Sequence, residues 1–173
     1  MITTKSRLEV INQIKEKNLI KYEKEIVRFL DDEDEFVRNQ TITLLGIRWK
    51  LLKYKNKLSK ILESDKSNWC RICAANALGI LGGKYKDQWV VKVLVKNLKK
   101  ESQPKDVKIE IYLSILGIYG ISKKQIITFT LNKDKIKIKR DLDWKFIKTI
   151  DSLNYNFNKI SISKFKMPVF KDK

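Results

Sequence analysis

The sequence predicts an all-α fold, a short α-solenoid (superhelix) of about three helical hairpins. Two observations support this prediction. Apolar residues recur with helical spacing over most of the chain, and a motif of an acidic turn, an arginine and a glycine returns after about 33 residues. Because a unit of two helices cannot bury its apolar stripe alone, at least three units must stack. We expect an N-terminal capping helix before the array and an extension after it.

The repeated motif fixes the expected units. It spans residues 30–46 in its first copy and 62–79 in its second, and a looser third copy spans 98–117, where Ile109 occupies the arginine position. Within the predicted array (residues 1–120), the repeats cover about 20–53, 54–86 and 87–120. The expected first helices are near 20–30, 56–63 and 87–99, the second helices near 35–49, 67–82 and 105–119, and the capping helix near 5–17. Plausible N-caps are Ser67 and Asp106, and glycines 46, 79 and 117 are expected near helix ends.

Two stretches of these repeats are similar to a known family. Residues 29–38, FLDDEDEFVR, resemble the HEAT-repeat pattern of two apolar residues, an acidic turn and a Val-Arg pair, and residues 74–79, AANALG, are similarly typical. The chain thus resembles the HEAT-repeat (PBS-lyase/HEAT-like) α-solenoid family over roughly residues 20–120. In that family the turn Asp and the helix Arg pair within or between repeats, and most arrays hold partners. The resemblance implies structural roles for four residues: Asp32, Arg38, Asp65 and Arg71.

The C-terminal extension, residues 121–173, has a different pattern. Residues 126–139 alternate around a turn at 132–134 and favour a β-hairpin, with a fourth helix pair as the alternative. Residues 141–153 return to helical spacing. The polar tail that follows, above all its last 15 or so residues, is expected to be extended or disordered.

Several chemistries are disfavoured by composition. The chain has no histidine, the usual general base and metal ligand, so we expect no catalytic residue, no metal and no cofactor. Cys70 and Cys73 form a CxxC inside a predicted helix without further ligands, which favours small core residues over a redox pair or a zinc half-site. The acidic run 31–35 lacks the spacing and glycine of a calcium loop, so it favours stabilisation of a helix start.

The net charge of +18 favours anionic partners. Only 6 of the 38 basic residues are arginine, the side chain that reads phosphate and guanine bidentately, so sequence-specific recognition is not expected. No stretch approaches the apolar length of a membrane span, and the start does not resemble a signal peptide. We therefore expect a cytoplasmic protein in a reducing compartment, and the sequence leaves its oligomeric state open.

Basic and aromatic residues concentrate where one repeat joins the next. Residues 48–57 combine five basic residues with two aromatic ones and no acid, and the connections 82–86 and 120–124 are also basic. Stacking would align all three along one edge, where they could track a phosphate backbone. The candidate anion-binding residues are Arg48, Lys50, Lys53, Tyr54, Lys55, Lys57, Lys84, Lys86, Lys123 and Lys124.

These features predict a non-catalytic binding module or adaptor whose basic edge binds an anionic partner, RNA or DNA backbone or a ribonucleoprotein. A protein scaffold, or an inhibitor or immunity-type protein for an acidic partner, is an alternative that the sequence does not separate from it. A further alternative is an enzyme, because the chain also resembles the HEAT-like alkylpurine DNA glycosylases, which use Trp and Asp beside the lesion. The residues to nominate for that activity are Trp69, Trp144, Asp141 and Asp143.

Overall fold

A computed structural model describes residues 3–121, 126, 130–160 and 165, and all regular secondary structure in them is helical. Helix α1 spans Thr4–Glu16. A 3₁₀ turn (Ile20–Tyr22), α2 (Glu23–Ile26) and a second 3₁₀ turn (Val27–Asp31) form one broken helix. It is followed by α3 (Glu35–Ile42), which continues into a π-helical turn (Thr43–Arg48).

The remaining helices are longer and more regular up to residue 118. A 3₁₀ turn (Leu52–Tyr54) leads into α4 (Lys55–Ser64), and α5 (Asn68–Tyr85), α6 (Gln88–Lys99) and α7 (Lys105–Ile118) follow. Beyond them lie α8 (Ile138–Asp141), α9 (Trp144–Ser152) and 3₁₀ turns at Lys133–Lys135 and Phe157–Lys159. The helices predicted up to residue 119 are therefore confirmed, with ends shifted by at most three residues.

The starts of the second helices follow ordinary capping chemistry. Asp34 accepts hydrogen bonds from the first backbone amides of α3, and Ser67 accepts one from an amide of α5. The prediction of Asp106 as the cap of α7 is wrong. Pro104 occupies the cap, with φ −57° and ψ 152°, and Asp106 lies in the first turn. In the first turn its carboxylate stabilises the helix through its attraction to the positive end of the helix dipole.

Helices α1, α3, α5 and α7 form a row in which each contacts the next. The helical segment 20–31 packs on α3, α4 packs on α5, and α6 packs on α7, so each second helix carries its own first helix. One apolar cluster runs through the whole row; Ile11, Leu45, Leu78 and Leu116 are fully buried in it. Helix α9 extends the packing onto α6, and α8 contacts α7.

Glycines set the closest approaches in this row. A Cβ on Gly46 would lie 2.6 Å from the Cβ of Ala77, and one on Gly79 would lie 2.7 Å from the Cβ of Ser114. Gly46 lies near the end of its helical segment as expected, in the π-helical turn that ends at Arg48, whereas the same expectation is wrong for Gly79, which lies inside α5. They are small because neighbouring second helices touch there. Gly117 does lie next to the end of its helix.

The predicted β-hairpin is not confirmed in the residues that the structure describes. Ile126, Thr130 and Leu131 are helical, and the Thr130 hydroxyl donates to the Ile126 carbonyl at 2.9 Å, one helical turn back. The alternation further on reflects a short extended passage at residue 136 that buries Ile136 before α8 begins. Residues 127–129 of the predicted strand lie outside the described residues. So does most of the predicted tail, whose residues 154–160 form turns and a 3₁₀ turn.

Candidate functional site

One edge of the stack, the turn edge, carries the turns inside the units, at residues 32–34, 65–67 and 100–104. Its central contact joins Arg38 to Asp65: Nε donates to Oδ2 at 2.9 Å and Nη2 donates to Oδ1 at 2.8 Å. The third guanidinium nitrogen donates to the carbonyls of Asp32 and Glu33 at 2.8 and 3.0 Å. Both paired side chains are at most 7% exposed. The hydrogen bond to Asp65 raises the pKa of the Arg38 guanidinium, although burial acts against this rise.

Two further arginines make the same kind of contact with the turn of the following unit. Arg7 Nε lies 3.1 Å from Asp32 Oδ2. Arg71 donates to the side-chain oxygen of Gln103, and its Nε donates to the Leu62 carbonyl at 3.3 Å. Thus α1, expected only as a cap, holds the position of a second helix. In the longer third turn, a neutral glutamine replaces the carboxylate.

The acidic run 31–35 serves the start of α3. Asp32 accepts a hydrogen bond from the backbone amide of Asp34 at 2.9 Å, and Asp34 caps the helix. Asp31 is mostly exposed, with a carboxylate oxygen 3.5 Å from Lys57 Nζ. Among the described residues, no group of three or more Cys, Asp or Glu side chains is arranged to hold a metal ion.

The opposite edge, the connection edge, carries the links between units at residues 17–23, 48–55 and 84–89. These links touch one another. Trp49 Nε1 donates to Asn18 Oδ1 at 2.9 Å, and the Tyr85 hydroxyl donates to the Lys50 carbonyl at 3.0 Å. The first two predicted connections, 48–57 and 82–86, are therefore adjacent in the fold. The third is described only at Gly120 and Ile121.

Some predicted site residues of this edge are neutralised by acids. Lys53 is paired with Glu23, and Lys55 Nζ lies 2.6 Å from a carboxylate oxygen of Asp87. Each of these pairs joins two consecutive links, so these lysines help to hold the units in register. Lys57 points away from the edge towards Asp31, as described above.

Four other predicted cations face solvent: Arg48, Lys50, Lys84 and Lys86. In the part of the chain that the structure describes, none of them makes an ion pair. The turns that join the units hold Lys50 and Lys86 in the left-handed region, with φ of 54° and 51°, and both residues are exposed. The predicted site residues Lys123 and Lys124 lie outside the described residues.

Aromatic rings are exposed beside these cations. Tyr22, Tyr85 and Trp89 are 39%, 43% and 38% exposed. Lys21 Nζ lies 5.1 Å from the centre of the Tyr22 ring, and Lys84 Nζ lies 4.7 Å from that of Tyr85. The edge thus combines positive charge with accessible π-faces.

Sequence reasoning missed these three rings as site residues. The signal that could have found two of them is a Lys-Tyr pair at residues 21–22, 53–54 and 84–85, one pair in each link. The middle ring, Tyr54, was predicted, but it is partly buried, and burial is the main cause that raises its pKa. The centre of the Trp89 ring lies 5.0 Å from the Nζ of Lys55, the residue after Tyr54.

The two cysteines lie at the contact between α3 and α5. Cys70 Sγ donates to the Glu35 carbonyl at 3.3 Å, and Cys73 Sγ lies 3.3 Å from the Thr43 hydroxyl. Burial raises the pKa of Cys70 to about 11 and also raises the pKa of Cys73. Both are free thiols in the packed interface, in agreement with small core residues.

A groove of about 670 Å³ runs between α5 and α7 on the side away from the first helices. Among the described residues, its lining holds no lysine or arginine, and Glu110 is its one charged side chain. Glu110 has no ion pair there, and burial raises its pKa. This surface, lined by one carboxylate and no cation among the described residues, contrasts with the connection edge.

The residues nominated for glycosylase chemistry have structural contacts of their own. Trp69 packs edge-on against Phe36 at the turn edge, with ring centres 5.2 Å apart. Asp143 caps α9, and the Trp144 indole donates to the Ile138 carbonyl at 3.0 Å. Asp141 is held by Arg140, which together with the neighbouring backbone amide lowers its pKa.

Comparison with protein-family models, curated proteins and solved structures finds no match to this chain. None of the helices in the described ranges is long and apolar enough to cross a membrane. The residue geometry above is therefore the basis for a functional proposal.

Proposed function

We propose that the chain is a non-catalytic binding module, a short HEAT-like α-solenoid whose connection edge binds the phosphate backbone of RNA or DNA. The solenoid part of the proposal is supported by the row of second helices, each bearing its own first helix. It is also supported by the arginines at positions 7, 38 and 71, each of which reaches the turn of the next unit.

The observation that carries the functional part is the cluster of four unpaired cations on one continuous edge: Arg48, Lys50, Lys84 and Lys86. A polyanion that neutralises them releases its own condensed counterions, which drives binding without any reading of sequence. Lysine acts as a point charge and so suits a phosphate backbone better than base edges. The opposite edge is unsuited to the same ligand because its exposed charges include the acidic run 31–35.

The test neutralises these four side chains together, each to glutamine, and measures binding of a labelled oligonucleotide by fluorescence anisotropy over a range of salt. Lys53 and Lys55 are left unchanged because their removal would release Glu23 and Asp87 and confuse loss of charge with loss of register. A matched control replaces four exposed lysines elsewhere: Lys60, Lys66, Lys92 and Lys96. Both variants carry a net charge of 18 − 4 = +14.

We expect the edge variant to bind about 10- to 100-fold more weakly near physiological salt, and its plot of log affinity against log salt to be less steep by about 3. The control should keep most of the affinity and slope, because its lysines do not meet the ligand. Equal losses in the two variants would show that net charge alone causes binding. Retention of a partner after nuclease treatment of a co-purified complex would instead favour an acidic protein.

A further inference from the structure

We infer that the connection edge takes single-stranded rather than double-stranded nucleic acid, with bases stacked on Tyr22, Tyr85 and Trp89. The inference rests on the proposed function and names its substrate class. Each of these rings keeps roughly two fifths of its surface exposed at the edge that holds the free cations. An exposed ring offers a flat apolar face, and a nucleic-acid base is a flat partner that can stack on each.

The distribution of the rings along the stack argues for a single strand. Tyr22 belongs to the link before the first unit, whereas Tyr85 and Trp89 belong to the link before the third. Neighbouring packed helices are about 8–10 Å apart, so these rings are spread over more than one such spacing. Bases of a duplex stack at about 3.4 Å and cover one another's faces. A single strand can separate its bases and place them on rings at this wider spacing.

The lysines beside the rings complete a stacking site. Lys21 and Lys84 lie over their own tyrosines, and Lys86 Nζ lies 5.4 Å from the centre of the Phe157 ring. A base on the free face of a tyrosine would bring its phosphate within reach of that ammonium group. Since every base has a π-face, such a site accepts any nucleotide sequence. This agrees with the scarcity of arginine, the side chain that reads bases, on the edge.

The partial burial of Tyr54 separates two kinds of ring on this edge. Tyr54 packs against the core and contributes to the fold, while Trp89 stands exposed in the same neighbourhood, next to Lys55. Trp89 caps no helix and makes no hydrogen bond through its indole to a described residue. The packing of α6 leaves its ring 38% exposed, and its indole is the largest of the three exposed rings proposed here.

The test compares oligothymidine, a duplex of the same length and inorganic polyphosphate, all measured by anisotropy or competition at one salt concentration. The ring variant replaces Tyr22, Tyr85 and Trp89 by alanine, and a conservative variant replaces them by phenylalanine. The matched control replaces the exposed pair Phe36 and Trp69 by alanine, because these rings are 55% and 43% exposed but lie at the turn edge. Circular dichroism confirms that each variant is folded.

We expect the ring variant to bind oligothymidine at least about 10-fold more weakly, while duplex and polyphosphate binding change by less than about twofold. The phenylalanine variant should recover most of the loss, and the turn-edge control should bind like the unmodified protein. Equal weakening for all three ligands, or no weakening for oligothymidine, would overturn the single-strand inference while leaving the polyanion proposal intact. Absence of binding to every one of the three ligands would overturn both.

Discussion

Replacing Asp65 by asparagine tests whether the buried arginine contacts hold the units in register. The change keeps the shape of the side chain and can keep the hydrogen bond that Asp65 Oδ1 accepts from the Ser67 amide at 2.8 Å. It removes the negative charge that faces Arg38 and turns an amide N–H₂ towards a guanidinium that can only donate. Both side chains are at most 7% exposed, so water cannot replace the lost partner.

The expected cost follows from that burial. Removing one member of a buried ion pair leaves an uncompensated charge and costs about 3–5 kcal/mol of the free energy of unfolding. Since domains are stable by about 5–15 kcal/mol, this is a large fraction of the total. If the free energy of unfolding falls by about 2 kcal/mol per M of urea, the midpoint of unfolding should fall by about 2 M. The assay is urea unfolding followed by circular dichroism at the helix band.

The matched control is Asp31→Asn, which removes a carboxylate 3.5 Å from Lys57 at an exposed position. Surface pairs of this kind contribute less than about 1 kcal/mol, so its midpoint should scarcely move. If Asp65→Asn lowers the midpoint no more than Asp31→Asn, the contact between Arg38 and Asp65 does not hold the stack together and the reasoning is refuted.

Three further predictions concern single side chains. Burial raises the pKa of the Glu110 carboxyl, so over the pH range between its unfolded and folded pKa the native state binds a proton that the unfolded state has lost. The free energy of unfolding therefore falls as pH rises through the folded pKa. Glu110→Gln should abolish this fall, as measured by urea titrations at several pH values. Gly79→Ala should lower the free energy of unfolding by about 1–3 kcal/mol, because its Cβ would collide with Ser114 of α7. Gly83→Ala should raise it by about 0.5–1 kcal/mol, because the nearest atom to its Cβ would be 3.7 Å away and alanine favours a helix. Thermal unfolding of the two variants compares these effects. Cys70, with its pKa near 11, should react with a thiol reagent at neutral pH only after urea is added, and fast labelling of the native protein would contradict its burial.

Much of the fold could be predicted because the sequence repeats locally. The spacing of apolar residues placed the second helices within a few residues of their observed ends, since an amphipathic helix must bury one stripe. The resemblance to HEAT repeats implied contacts at the turns between the aspartates at 32 and 65 and the arginines at 38 and 71. What the sequence could not show is which arginine meets which turn, because that depends on how far one unit is shifted against the next.

The extension and the third turn were harder for a physical reason. The alternating Lys and Ile of residues 135–138 are compatible with a β-strand and also with a short extended passage that buries one isoleucine. Only tertiary contacts decide between these two structures. At the third turn, inserted residues bring Gln103 to the place of an aspartate, which no repeat alignment anticipates. The candidate site was predicted in part: the free cations were named, but Trp89 was not, because its exposure depends on how α6 packs.

The two edges of the stack should respond to mutation in opposite ways. Contacts at the turn edge are buried and hold the units together, whereas the free cations of the connection edge face solvent and repel one another in a chain of net charge +18. Neutralising Arg48, Lys50, Lys84 and Lys86 should therefore leave the urea midpoint equal to or above that of the unmodified protein, even though it weakens binding. Such an outcome separates binding from folding, because a surface needed for stability would lose both together. A lower midpoint would mean that the contacts of Lys84 and Lys86 with the Tyr85 and Phe157 rings outweigh this repulsion, and that the weaker binding is a consequence of unfolding.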